Sequence, residues 1–187
     1  IEKYLNVGLV TTAVITDATP ASFAAHVTNR YCMKPGDGPC EGDRSIIEQM
    51  LDLEINVMLG GGDELLPAVN DGKSVEQMSQ DKGYQLIHTR EELLNNKDND
   101  RKLWGSFSDY HMPVEWQNHN GTKAQRLSVD SENNIIFPDA KSCIANPDHA
   151  GMPTIEEMTG AAITKLDANN ENGFFLMIEG ASIDKQS

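Results

Sequence analysis

Two continuous apolar runs, Val7-Gly8-Leu9-Val10 and Phe174-Phe175-Leu176-Met177-Ile178, are each followed by a charged cluster. Unbroken apolar runs of this length mark strands covered on both faces, and such strands need helices on either side of a sheet. They predict an α/β fold: a mostly parallel sheet flanked by helices. The clusters that follow are Asp17-Ala18-Thr19-Pro20 and Glu179-Gly180-Ala181-Ser182-Ile183-Asp184-Lys185. Open α/β sheets bind ligands beyond the carboxyl ends of their strands. Three carboxylates, a hydroxyl and an amine gathered there point to a metal site that handles an anion. The second cluster stands two residues from Ser187, so the site reads as divided by the end of the sequence.

The elements between the two runs alternate. Leu5 to Ile15 reads as a buried strand. Pro20 suits a first helical turn with Thr19 as N-cap, and the helix is expected to run to about Asn29. A second helix spans Ser45 to Leu51, capped by Asp43 or Ser45. Ile55 to Leu59 is a short buried strand closed by a turn at Gly60-Gly61-Gly62. Ser74 to Lys82 reads as helix with Gly83 as its stop. Tyr84 to Ile87 and Lys102 to Phe107 are strands, with a short helix from Arg90 to Leu94. Residues 108 to 152 are polar and turn-rich and read as an insertion or lid, with a small hairpin between 126–129 and 134–137. Pro153 and Thr154 open a helix whose Ile155, Met158, Ala162 and Leu166 share one face.

Length and charge narrow the function. A chain of 187 residues is the size of one domain with a real core. Its 15 basic against 29 acidic residues give a net charge of −14. Nucleic acid and anionic membrane surfaces demand clustered Lys and Arg, so neither is expected as a partner. No stretch approaches the roughly 20 apolar residues of a membrane span. An anionic substrate would be repelled at long range, and local cations or metals must reverse the field. Cys32 and Cys40 bracket a short loop rich in Gly and Pro, which favours a disulfide over two free thiols. Cys143 is left over, and an odd cysteine suggests a partner elsewhere. Together the cysteines favour an oxidising compartment, periplasmic or secreted.

Each candidate has a simpler reading beside the functional one. Glu179 and Asp184 can converge through the small residues between them, and hard oxygen ligands suit Mg²⁺. They can equally be a polar loop after a core strand. Asp17 and Thr19 can ligate a metal or cap a helix. Arg30 can grip a tetrahedral oxyanion with two parallel hydrogen bonds, or simply favour the negative end of a helix. Lys185 beside Asp184 can be a surface pair. Gly60-Gly61-Gly62 lacks the lysine and spacing of a nucleotide loop. The five histidines, His26, His88, His111, His119 and His149, show no ligand spacing.

Taken together the segments resemble bacterial alkaline phosphatases. The matching stretches are Thr16-Asp17-Ala18-Thr19-Pro20-Ala21 with His26-Val27-Thr28-Asn29-Arg30, then Leu59-Gly60-Gly61-Gly62 and Met112-Pro113-Val114. Pro153-Thr154 with Glu157-Met158-Thr159 follows, and last Gly173-Phe174-Phe175-Leu176 through Glu179-Gly180-Ala181-Ser182-Ile183-Asp184-Lys185-Gln186. The resemblance implies hydrolysis of phosphate monoesters through a phosphoserine, with two Zn²⁺ and one Mg²⁺, in a homodimer. It implies Thr19 and Glu179 as Mg²⁺ ligands, with Asp17 holding Mg²⁺-bound water and pairing with Lys185. Asp184 would ligate one Zn²⁺, Arg30 would clamp the phosphoryl oxygens, and Lys185 would act on phosphate through water. Cys32 and Cys40 match a family disulfide, and Cys143 matches one whose partner lies beyond residue 187. The nucleophilic Ser and the remaining metal ligands belong to segments outside residues 1–187. The chain therefore reads as an internal fragment, inactive by itself. A phosphodiesterase or sulfatase of the same superfamily, and a non-catalytic metal- or partner-binding module, are the alternatives.

Overall fold

The structure is a computed structural model. It describes residues 5–40, 44–119, 127–138, 142–168 and 170–185, without the side chains of residues 184 and 185.

Five parallel strands make the central sheet. β1 (Asn6–Val14), β2 (Val57–Gly61), β5 (Tyr84–Ile87), β6 (Lys102–Ser106) and β11 (Phe174–Glu179) are ordered β11-β1-β2-β6-β5. Alternate residues of β1 feed two cores, as the two-residue period of a strand requires. Val7 and Leu9 join Ile46, Ile47, Met50 and Leu51 of α2 (Ile46–Asp52) and Val75 of α3 (Val75–Asp81). Val10 joins Leu93 of α4 (Arg90–Asn95) and Met158, Ala162 and Leu166 of α5 (Ile155–Asp167). Each fully buried Leu or Ile stabilises by roughly 1.5–3 kcal/mol. Gly8 lets α5 lie close on the sheet, because a Cβ there would stand 2.6 Å from Leu166 Cδ1.

The helix starts follow their capping residues. Ser45 donates through N and Oγ to the Glu48 carboxylate at 2.9 and 2.6 Å and opens α2, while Asp43, the other candidate cap, lies outside the described residues. Ser74, Thr89 and Thr154 cap α3, α4 and α5, each with a Gln or Glu three residues on. Gly83 at φ +81° ends α3, as its position predicts.

Three expectations need correction. The first helix, α1 (Ala18–Ala21), has four residues and does not reach Asn29. Gln49 of α2 explains the stop. Its side chain accepts from His26 N at 2.9 Å and donates to His26 O at 3.2 Å, so that backbone is bonded to α2 instead of continuing a helix. Second, Gly60 and Gly61 belong to β2, and the turn begins at Gly62, with φ +127°. Gly61 cannot carry a side chain, since a Cβ would lie 1.7 Å from Tyr110 O. Third, β11 meets a core on each face, Phe175 and Met177 on one and Phe174 and Leu176 on the other, but it is only partly buried. It is the sheet's edge, and Ile178 is 47% exposed.

Within 108–152, β7 (Trp116–Asn118) pairs antiparallel with β10 (Cys143–Ala145). β8 (Ser128–Val129) and β9 (Ile135–Ile136) form the small hairpin, though Arg126 lies outside the described residues. A further hairpin, β3 (Val69–Asn70) and β4 (Lys73–Ser74), was not among the expectations, although its Asp71-Gly72 turn, at φ +50° and +78°, is a hairpin signal in the sequence. Among the described residues no helix is long and apolar enough to cross a membrane.

Candidate active site at the carboxyl edge of β1 and β11

β1 and β11 run parallel and in register, with Thr11 opposite Glu179. Parallel neighbours end on the same edge of the sheet, so the segments after both apolar runs start from that edge. This is the convergence that the two runs predict.

Asp17 leaves β1 and caps α1, its Oδ1 accepting from Ala18 N at 2.8 Å. Thr19 does not cap the helix. It lies inside α1, exposed, and its carbonyl accepts from Ser22 Oγ at 2.7 Å. Asp17 is only 14% exposed and Arg30 is 56% exposed, and Arg30 NH2 donates to Asp17 Oδ1 at 2.5 Å. The pairing expected between Asp17 and Lys185 falls on a side chain outside the described residues. Arg30 is not at a helix end but in a turn, where Cys32 N donates to Asn29 O at 3.1 Å. That turn is tied down twice. Cys32 is bridged to Cys40, as the loop predicts, and Ile46 N donates to Cys32 O at 2.9 Å. Cys143 is an exposed free thiol in β10.

Glu179 ends β11, half-buried, and its Oε2 accepts from Thr11 Oγ1 at 2.7 Å. Asp184 and Lys185 lie in the short helix α6 (Ser182–Lys185), their side chains outside the described set. Among the described residues no three His, Cys, Asp or Glu side chains are grouped to hold a metal ion.

The sequence does not single out three neighbours of this edge. Thr11 is one, buried and bonded to Glu179. Tyr110 is the second. Burial pushes its phenol above the ordinary value of 10.0, and the Asp17 and Glu64 carboxylates push it the same way. His111 is the third, its Nδ1 accepting from Val14 N at 3.0 Å just before the Asp17 cluster. The segment holding Tyr110 and His111 crosses the ends of β2 and β1, where Gly62 N donates to Ser108 O at 2.8 Å and Met112 N to Thr12 O at 3.0 Å. In the sequence this stretch was marked only by Met112-Pro113-Val114, as part of the family resemblance. A cavity of about 290 Å³ opens beside Gly180 and Ser182, walled by Met112, Trp116, His149 and Ile183. A larger one, about 630 Å³, lies between α4 and α5 and contains none of the candidate residues.

With this geometry in place, comparison with known proteins is informative. The sequence profile of the family "Alkaline phosphatase" matches residues 2–187. An alkaline phosphatase of Escherichia coli is 38% identical, covering 97% of this chain and 40% of the relative. A streptomycin-6-phosphate phosphatase of Streptomyces griseus is 35% identical, over 96% of this chain and 42% of the relative. The crystal structure of the Thermus thermophilus alkaline phosphatase superposes with a TM-score of 0.65 at 31% identity, over 97% of this chain and 30% of that one. The chain thus spans about 40% of the length of these curated relatives. It belongs to the alkaline phosphatase family.

Proposed function

We propose that the edge of β1 and β11 is part of the phosphate-binding centre of a metal-dependent phosphomonoesterase. One observation carries this reading. Arg30 is held by Asp17 through a single NH2, in a turn fixed by a disulfide, while the guanidinium stays more than half exposed. A guanidinium oriented by a carboxylate and still open to solvent suits two parallel hydrogen bonds to a phosphoryl group. It also supplies the local positive charge that a chain of net charge −14 needs to receive an anion. Arg30 would bind the equatorial phosphoryl oxygens and stabilise the charge that develops there. Lys185 would reach the phosphate through water.

The donor set fits Mg²⁺. Glu179 is oriented by Thr11, and Thr19 offers an exposed hydroxyl. Both are hard oxygen donors, with Asp17 acting through water. When bound, the metal supplies a fixed positive charge beside the substrate. Zn²⁺ takes three or four protein ligands, and of these the family resemblance implies only Asp184 within this sequence. The serine nucleophile and the other zinc ligands would lie in sequence outside these 187 residues. Segment 108–152 would act as a lid or insertion over this edge. The Cys32–Cys40 bridge supports a periplasmic or secreted setting. The homodimer remains part of this proposal through the family resemblance alone.

The test is selectivity in the proposed full-length enzyme. p-Nitrophenyl phosphate should be turned over far faster than bis-p-nitrophenyl phosphate or p-nitrophenyl sulfate. Faster turnover of the diester or the sulfate would favour the superfamily alternatives. Turnover of none would favour a binding module.

A further inference from the structure

We infer that Thr11 is a positioning residue, setting the rotation of the Glu179 carboxylate and through it the affinity of the site for Mg²⁺. The inference rests on the function proposed above and extends it to a residue outside both charged clusters.

The device is a bulge in β1. Val10 pairs with Leu59 and Val14 with Gly61, so Thr11-Thr12-Ala13 stand opposite the single Gly60. Bulges of this kind re-aim side chains beside functional sites. Here the displaced backbone is satisfied by the threonine itself, as Ala13 N donates to Thr11 Oγ1 at 2.9 Å. With one lone pair taken by that N–H, the hydroxyl proton is directed to Glu179 Oε2, at 2.7 Å. The result is a relay from backbone N–H to hydroxyl to carboxylate.

Two further observations show how closely the bulge is built. A Cβ on Gly60 would lie 2.9 Å from Ala13 O and 3.1 Å from Thr11 Cγ2, so glycine leaves the room that the bulge occupies. Thr11 itself has no solvent exposure. A valine of the same shape would fill the space without burying a hydroxyl. The hydroxyl therefore has a task that packing does not set. A glutamate turns about three single bonds, and a hydrogen bond from a buried donor selects one setting of the carboxylate. Partners that orient a ligand in this way typically change metal affinity by about 10- to 100-fold when removed.

The experiment uses the full-length enzyme and reads Mg²⁺ binding directly by titration calorimetry, with thermal unfolding in parallel. Thr11→Val removes both hydrogen bonds at nearly constant volume, and Thr11→Ser keeps the hydroxyl. Thr11→Val should bind Mg²⁺ about 10- to 100-fold more weakly, and Thr11→Ser should restore the wild-type affinity. Should the valine form not accumulate, Thr11→Cys keeps the volume with a weak donor, and should fall between the two. Unchanged Mg²⁺ affinity in Thr11→Val overturns the inference, including the case in which only the melting temperature falls. A wild-type enzyme that binds Mg²⁺ but hydrolyses no phosphate monoester would instead refute the proposed function while leaving the Thr11 comparison readable.

Discussion

Asp17 has two tasks at the atomic scale, and they can be separated. Its Oδ1 caps α1 and also receives Arg30. Asp17→Ala removes both interactions and should lower the unfolding free energy by about 1 kcal/mol in a urea titration, mostly as a lost cap. Asp17→Asn is an equally good cap without the charge, and should recover most of that stability. Equal losses in the two variants would mean that the ion pair, not the cap, holds this segment. The contact between Asp17 and Arg30 was not among the expectations, since the family resemblance pairs Asp17 with Lys185 and gives Arg30 to the phosphoryl oxygens. Twelve residues of intervening chain hide the contact from any spacing rule. Thr19 before Pro20 has the form of an N-cap, yet the helix starts two residues earlier, because Asp17 is as good a cap and comes first. Thr11 was invisible for a plainer reason. A threonine inside an apolar strand is ordinary by composition, and only the bulge gives its hydroxyl a partner.

Among the elements, the Cys32–Cys40 loop links stability to the site. Closing a loop of this size stabilises by about 2–3 kcal/mol in the chain-entropy model. The double variant Cys32→Ser/Cys40→Ser should lose that much by urea unfolding. The same bridge anchors the turn that carries Arg30, so KM for a phosphate monoester should rise in the folded variant. A stability loss with KM unchanged would show that Ile46 N on Cys32 O is enough to hold the turn. Strands and capped helices were largely readable, because their signals are local: period, capping box, stop glycine. The failures came where a distant group intervened. Gln49 captures His26 and ends α1 early, and Tyr110 O takes the space over Gly61 and keeps it in β2. β11 has the composition of a buried strand and does meet a core on each face, but at the sheet's edge Ile178 is left about half exposed.

The molecule as a whole holds a buried charge that ties stability to pH. Burial of Glu48 pulls its pKa up, but hydrogen bonds from Ser45 and Asn70 and the charge of Arg44 outweigh that and leave it below 4.5. A carboxyl depressed in the folded state contributes stability that is present above its unfolded pKa and lost as pH falls through the folded value. The urea midpoint should therefore fall below about pH 4.5, and Glu48→Gln should flatten that dependence. An unchanged acid limb in Glu48→Gln would place the titration elsewhere. The alternation of strand and helix and the parallel pairing of β1 with β11 were legible along the chain, because they depend on pattern. Which side chains meet at the carboxyl edge of these strands was not, since this depends on a bulge and a crossing loop. The central claim, that Arg30 and Glu179 serve one phosphate centre, is tested most directly by kcat/KM for p-nitrophenyl phosphate in the full-length enzyme and its Arg30→Ala and Glu179→Gln variants. The account predicts a loss of roughly 10²-fold or more for Arg30→Ala, and for Glu179→Gln a loss that added Mg²⁺ partly reverses. Wild-type kcat/KM in both variants would contradict it.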